Sequence, residues 1–373
     1  MSAAYSYMDH NATSPLRPVA LDAMMEALRA GGNPSSTHRL GRRARATVDK
    51  ARRQVAALIG ALPAEIVFTS GGTEANALAI TGAPVTRVMV SAVEHDSVRR
   101  AHPDAETLPV DSDGVVELAV LERMLAAGKA PTLVSVMYAN NEAGVMQPIR
   151  EVVRLARAAG ALVHCDAVQG AGKAPVDVHG LGVDYLSLSG HKFGGPAGSG
   201  ALFIRSGVSL TPDRRGGSQE ANRRAGTENV SGIAGFGAAA EAASDGLSVE
   251  AWRDQLESSL RAIAPEAKVF GAGAPRLSNT SCISMPGVSA ETQVMALDLA
   301  GIGVSAGAAC SSGKVQRSAV LAAMGVPEAD ASAAIRISLG WNSSFDDIER
   351  LIAAWRDLYI RARHSGIDRD LAA

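Results

Sequence analysis

The sequence predicts an α/β fold in which a large domain with a mostly parallel central sheet is followed by a smaller α+β C-terminal domain. Three observations carry this expectation. Short runs rich in Val, Ile and Leu alternate with amphipathic stretches between about residues 65 and 205. After residue 250 the texture changes to a mixture of strand and helix patterns. The length of 373 residues also exceeds one domain at roughly 150 residues each. The expected division is 15–250 for the large domain and 251–373 for the small one, joined by the segment 1–14.

In chain order, Arg17 to Ala30 and Arg42 to Ile59 read as helices, the first opened by Ser14-Pro15 as cap and first turn. The apolar runs EIVFT, TRVMVSA, TLVSVMYAN, ALVHCDA, DYLSLSG and GALFIRS follow. Between several of them lie helical patterns such as Glu117 to Ala127 and Ile149 to Ala159, long enough for crossovers. Near-continuous apolar strands separated by helices indicate a parallel sheet covered on both faces, with ligands beyond the carboxyl ends of the strands. The smaller domain is expected to hold a helix at Trp252 to Ile263, the strand TSCISM, a helix at Thr292 to Ala300, a Gly/Ala/Ser loop, the strand AAIRISLG and a final helix.

Composition narrows the function classes. The chain is 47% hydrophobic and 20% charged, the proportions of a globular protein. Its 36 basic and 38 acidic residues give a formal charge of -2, so no global field attracts nucleic acid or a membrane surface. Three Cys, with no close C-x-x-C pair, build neither a disulfide framework nor a zinc site. The start MSAAYSYMDHNATSP has no basic segment followed by an apolar one, so no secretory signal is expected. No apolar run reaches the roughly 18 residues of a membrane span, and a cytoplasmic setting is the expectation. The basic stretch from His38 to Arg53 reads as the solvated face of a helix. Only six of the basic residues are Lys, so amine chemistry has few candidates.

Three segments stand out chemically. SGGTEANALAI follows a strand, and its glycines let backbone N–H groups and a helix dipole face an anion. In ALVHCDAVQ, Asp166 falls where the apolar run stops, at the ligand-bearing edge, while Cys165 faces the other way. In DYLSLSGHKFGGPAGSGALFI, Lys192 follows a strand end among glycines that permit close approach of a bulky ligand. Each has a plainer explanation: an ordinary strand-to-helix turn, a turn cap, a solvated lysine. The ordered set matches the needs of pyridoxal phosphate, which requires a phosphate cradle, an acid beside the pyridine nitrogen and an amine for the aldehyde.

The chain resembles the cysteine desulfurase family of class V, fold-type I pyridoxal-phosphate enzymes from about Tyr7 to Gly340. The likeness rests on DHNATSP, GNPSSTHRLG, SGGTEAN, VEHDSV, ANNEAGVMQPI, HCDAVQGAGK, SGHKFGGPAGSGAL, RRAGTENV, GAACSSG and IRISLG. The resemblance implies that Lys192 binds the cofactor covalently, Asp166 pairs with the pyridine nitrogen, Gln169 reaches the phenolic oxygen and His95 stacks on the ring. It implies phosphate contacts from Gly72, Thr73, Ser189 and His191, and from Thr227 toward a neighbouring subunit, hence a homodimer with shared active sites. Asn141 and Arg336 would hold the substrate carboxylate. Cys310, in a loop of small residues, would attack the sulfur of L-cysteine and carry it as a persulfide to an acceptor protein, such as an iron–sulfur scaffold, releasing alanine. A free thiol is only a few per cent thiolate at neutral pH, so activation by His95 or Arg336 is expected. Cys165 and Cys282, in strand-like runs, are expected to be buried and inert.

The chain departs from the family pattern at Ala197, where Lys is common, and at Ser218, where Gly is common; neither position performs chemistry. The short ending RARHSGIDRDLAA leaves the acceptor open. Two other readings remain: another class V reaction, such as selenocysteine lysis, cysteine lysis or transamination, and a non-catalytic protein retaining the fold.

Overall fold

The computed structural model describes residues 5–128, 130–306 and 318–370, with side chains described as far as 364. Cys310 lies outside the described residues.

The strand β1 (Ser6–Tyr7) stands apart from the central sheet. That sheet comprises β2 (Ile66–Thr69), β3 (Arg87–Ser91), β4 (Glu106–Leu108), β5 (Thr132–Ser135), β6 (Leu162–Asp166), β7 (Tyr185–Ser189) and β8 (Gly200–Ile204). Their order is β2-β8-β7-β6-β5-β3-β4, and only β8 runs against the rest. Successive residues pack on opposite faces. Val67, Val88, Leu133, Tyr185 and Leu202 join the helix Gly72–Gly82 in one apolar cluster. Their neighbours Phe68, Met89, Val134, Leu186 and Phe203 join the helices Arg39–Leu58, Leu118–Ala126 and Ile149–Ala158 in another. Both faces are therefore covered, which is why the strands read as unbroken apolar runs.

The expected strands are all present. The three-residue edge strand β4 was not anticipated, since ETL carries too little apolar pattern to stand out. The first helix corrects a second expectation. It spans Pro18–Ala30 with Arg17 at its cap and Pro18 in its first turn. Ser14 and Pro15 do not open it; the Ser14 hydroxyl instead pairs with His10 Nδ1 at 2.8 Å.

Beyond the helix Glu250–Ile263, the chain adds β9 (Thr280–Ser284), β10 (Ile302–Gly303), β11 (Ser305–Ala306) and β12 (Ala334–Ser338). β11, β12 and β9 form an antiparallel sheet, while β10 pairs in parallel with β1. Met8, Leu256, Ile283, Ile335, Ile337 and Trp355 share a separate core, so the N-terminal segment packs with the C-terminal elements. No helix among the described residues is long and apolar enough to cross a membrane.

Candidate active site

The carboxyl ends of β2, β3, β5, β6 and β7 open on one cavity of about 930 Å³. β2 leads through Gly71 into the helix Gly72–Gly82, whose first residues Gly72 and Thr73 line the cavity. The first turn of that helix leaves backbone N–H groups without intrahelical partners, a ready anion site. β7 ends at Ser189, and the tight turn Gly190–Lys192 delivers His191 and Lys192 to the same space. β6 ends at Asp166, and β3 is followed by His95, which caps a short helix by accepting from Ser97 N at 3.1 Å. Asn141 and Arg336 complete the wall from the β5 loop and from β12.

Lys192 Nζ donates to the carbonyls of Asn11 and Ala12 at 2.6 and 2.9 Å. Burial, then the Arg336 charge, pull its pKa down to about 8, against the opposing pull of Asp166 and Asp9. About a tenth of the side chain is thus an uncharged amine at pH 7, against well under a hundredth for an ordinary lysine. His191 is neutral for the same reasons: burial, with Lys192 and Lys173 behind it, brings it to about 4.

Asp166 is buried, and burial raises its pKa against the hydrogen bonds donated by Val168 N (2.9 Å) and Asn76 Nδ2 (2.7 Å). It forms no ion pair among the described residues, although it lies at the cavity wall. A buried carboxylate held by neutral donors is suited to a cationic ring nitrogen. The cradle at the helix start is also fitted. A Cβ on Gly72 would come within 2.8 Å of Val168 Cγ2, so only glycine leaves the backbone open there. An acid without a cation, a low-pKa amine and a bare helix start together fit pyridoxal phosphate. Asp166 would hold the pyridine nitrogen, Lys192 the aldehyde carbon, and Gly72, Thr73, Ser189 and His191 the phosphate.

Arg336 is held from two sides. Its Nη1 donates to Asn141 O at 3.1 Å and its Nη2 to Asp9 at 2.6 Å, while its buried Nε has no partner among the described residues. Free N–H capacity on a fixed guanidinium suits a carboxylate ligand.

Of the residues expected at the site, Thr227 is not on this cavity. It is exposed and lines a separate hollow of about 210 Å³ with Arg224 and Glu228. Cys165 and Cys282 are buried free thiols, and burial first of all pushes both upward in pKa. The basic helix departs from expectation at Arg52, whose guanidinium forks onto the buried Glu220 at 2.7 and 2.8 Å. His38 caps that helix through Nδ1. Asn76, Lys173 and Glu94 were not foreseen. Asn76 and Asn11 line the cavity, and Lys173 sits behind it, donating to Gln169 Oε1 and Asn11 Oδ1. Glu94 is fully buried and raised to about 8, by burial and then by Asp166. A faint signal existed for Lys173 alone, as a lysine in a glycine-flanked segment four residues beyond Gln169.

Where the central strands end, the structure thus has the layout of the fold-type I pyridoxal-phosphate enzymes. The family model for class-V aminotransferases matches residues 6–351. A cysteine desulfurase from Cereibacter sphaeroides is 46% identical over 363 residues, covering 93% of each chain. An IscS-like cysteine desulfurase from Mycobacterium tuberculosis is 37% identical, covering 97% of this chain and 98% of its own. A solved NifS-like protein from Rickettsia africae superposes with a TM-score of 0.87 at 35% identity, covering 95% of this chain and 99% of the other. The chain belongs to the class-V aminotransferase family and, within it, to the cysteine desulfurases.

Proposed function

We propose that this protein converts L-cysteine to L-alanine with pyridoxal phosphate and passes the sulfur, as a persulfide on Cys310, to an acceptor protein. The observation that carries the site assignment is the low-pKa amine of Lys192 in a cavity that also holds the unpaired carboxylate of Asp166. When bound, the cofactor supplies an aldehyde for the substrate amine and an electron sink for the charge developing at Cα.

The remaining work falls to side chains of this chain. Arg336 and Asn141 fix the substrate carboxylate, which sets the Cα–H toward Lys192. The free Lys192 amine removes that proton and later returns one. Asp166 would keep the ring nitrogen protonated, and His95 would cover the ring. Cys310 thiolate attacks the substrate sulfur, the Cβ–S bond breaks, and the product leaves as alanine after protonation at Cβ. Thr227, exposed beside Arg224, is suited to reach the phosphate of a second copy, which supports a homodimer with shared sites. The acceptor would belong to iron–sulfur cluster or other sulfur biosynthesis, in the cytoplasm.

Mass spectrometry after exposure to L-cysteine tests the reading. One added sulfur is expected on Cys310, and none on Cys310→Ala, which keeps its visible cofactor band. Full sulfur release by Cys310→Ala would favour another class V reaction. Lys192→Ala should lose the band that borohydride bleaches.

A further inference from the structure

Lys173 is buried, yet it forms no ion pair among the described residues. Its Nζ lies 2.5 Å from Gln169 Oε1 and 2.7 Å from Asn11 Oδ1. Burial, then the charges of Lys192 and Arg336, hold its amine well below the usual lysine range. Its N–H groups have two amide oxygens within hydrogen-bond distance to receive them.

These contacts fix both amides. With Oε1 of Gln169 turned to Lys173, Nε2 must be the end that faces away, and it donates to the Asn11 carbonyl at 2.9 Å. One N–H of that amide remains for an acceptor in the cavity that Gln169 lines. The same Asn11 carbonyl receives Lys192 Nζ. Asn11 is held in turn through Nδ2, which donates to Thr280 Oγ1 at 2.9 Å and Asn141 O at 3.1 Å. Lys173 therefore stands behind the amide of Gln169 and behind the backbone that holds Lys192, without reaching the cavity itself.

We propose that Lys173 is a positioning residue for the cofactor: it locks Gln169 with its N–H end toward the ring oxygen and steadies the Asn11 carbonyl beneath Lys192. This rests on the assignment of Lys192 and Gln169 to the cofactor. Replacing the amine by an apolar chain frees Gln169 to flip, which would present an oxygen to an oxygen. A ring oxygen without its donor holds more negative charge and strengthens proton binding by the conjugated system.

The test is a pH titration of the visible band in holoenzyme, comparing wild type with Lys173→Met. The expected result is a midpoint raised by about one pH unit, the order of one lost hydrogen bond, with the band itself retained. In a Gln169→Leu background, Lys173→Met should move the midpoint no further. Lys173→Gln, polar but too short to span both oxygens, serves if the Met variant does not fold. A wild-type midpoint in whichever variant folds overturns the proposal. Lys192→Ala separates the two failures: if it still carries the reducible band, the cofactor assignment itself is wrong.

Discussion

Arg336 Nη2 donates to Asp9 Oδ1 at 2.6 Å, tying strand β12 to the N-terminal segment beside a residue of the cavity wall. The Arg336 side chain is only 6% exposed, so it cannot turn to water for an alternative partner. Asp9 thereby sets the plane of the guanidinium that would meet a carboxylate. Asp9→Ala should raise KM for L-cysteine by about tenfold, the order of one lost charge-assisted contact, with a smaller change in kcat. Steady-state alanine production at varied cysteine measures both. An unchanged KM would remove Asp9 from substrate positioning.

Cofactor capture by apoenzyme should depend on pH through Lys192. Its pKa is lowered from the ordinary lysine value to about 8, chiefly by burial, and only the neutral amine attacks an aldehyde. The rate of reconstitution should therefore rise by close to tenfold per pH unit below 8 and level off above it. Stopped-flow absorbance on adding pyridoxal phosphate reads this directly. A rate still climbing steeply between pH 9 and 10 would mean that the amine titrates in its usual range.

At the helix start, Gly72→Ala would push a methyl to 2.8 Å from Val168 Cγ2. Val168 lies between Asp166 and Gln169 in sequence, so its displacement disturbs both. Affinity for pyridoxal phosphate should fall by about tenfold. The double variant with Val168→Ala should recover most of it, as judged by fluorescence titration of apoenzyme. No recovery would point to the backbone amides rather than to the Val168 contact.

Stability should depend on Arg52. Glu220 has a side-chain exposure of 2% and its carboxylate takes two bonds from Arg52 and one from Phe68 N. Residues Glu220, Ala221 and Asn222 all have left-handed φ, between 46° and 65°, a conformation that side chains resist. Arg52 also lies 4.7 Å over the Phe68 ring. Arg52→Ala leaves a buried carboxylate without its cation and should cost about 3 kcal/mol in urea unfolding. A loss below about 0.5 kcal/mol, the size expected at an exposed pair, would contradict this account.

Much of the architecture was legible in the sequence because each central strand is buried on both faces and so appears as an apolar run. β4 escaped because an edge strand of three residues, one of them exposed, carries no such run. The candidate site residues were legible for a related reason: Asp166, Ser189 and Lys192 sit where an apolar run ends and line one cavity, which is where a parallel sheet delivers ligands. Pro15 and Pro18 are both compatible with a first helical turn, and the backbone bond from Arg17 N to the Gly194 carbonyl, far along the chain, accompanies the later start.

What the sequence determined by itself, then, was the order of strands and helices and the amine, acid and glycine turn at the strand ends, since these depend on local pattern. Only the tertiary structure decided that Lys173 and Asn11 support Gln169 and Lys192, that Asp9 holds Arg336, that Arg52 is engaged rather than solvated, and that Thr227 lines a hollow separate from the main cavity of its own chain. Those pairings join residues as far apart as 327 positions. No periodicity links them, because hydrogen-bond geometry and burial exist only once the two cores have packed together.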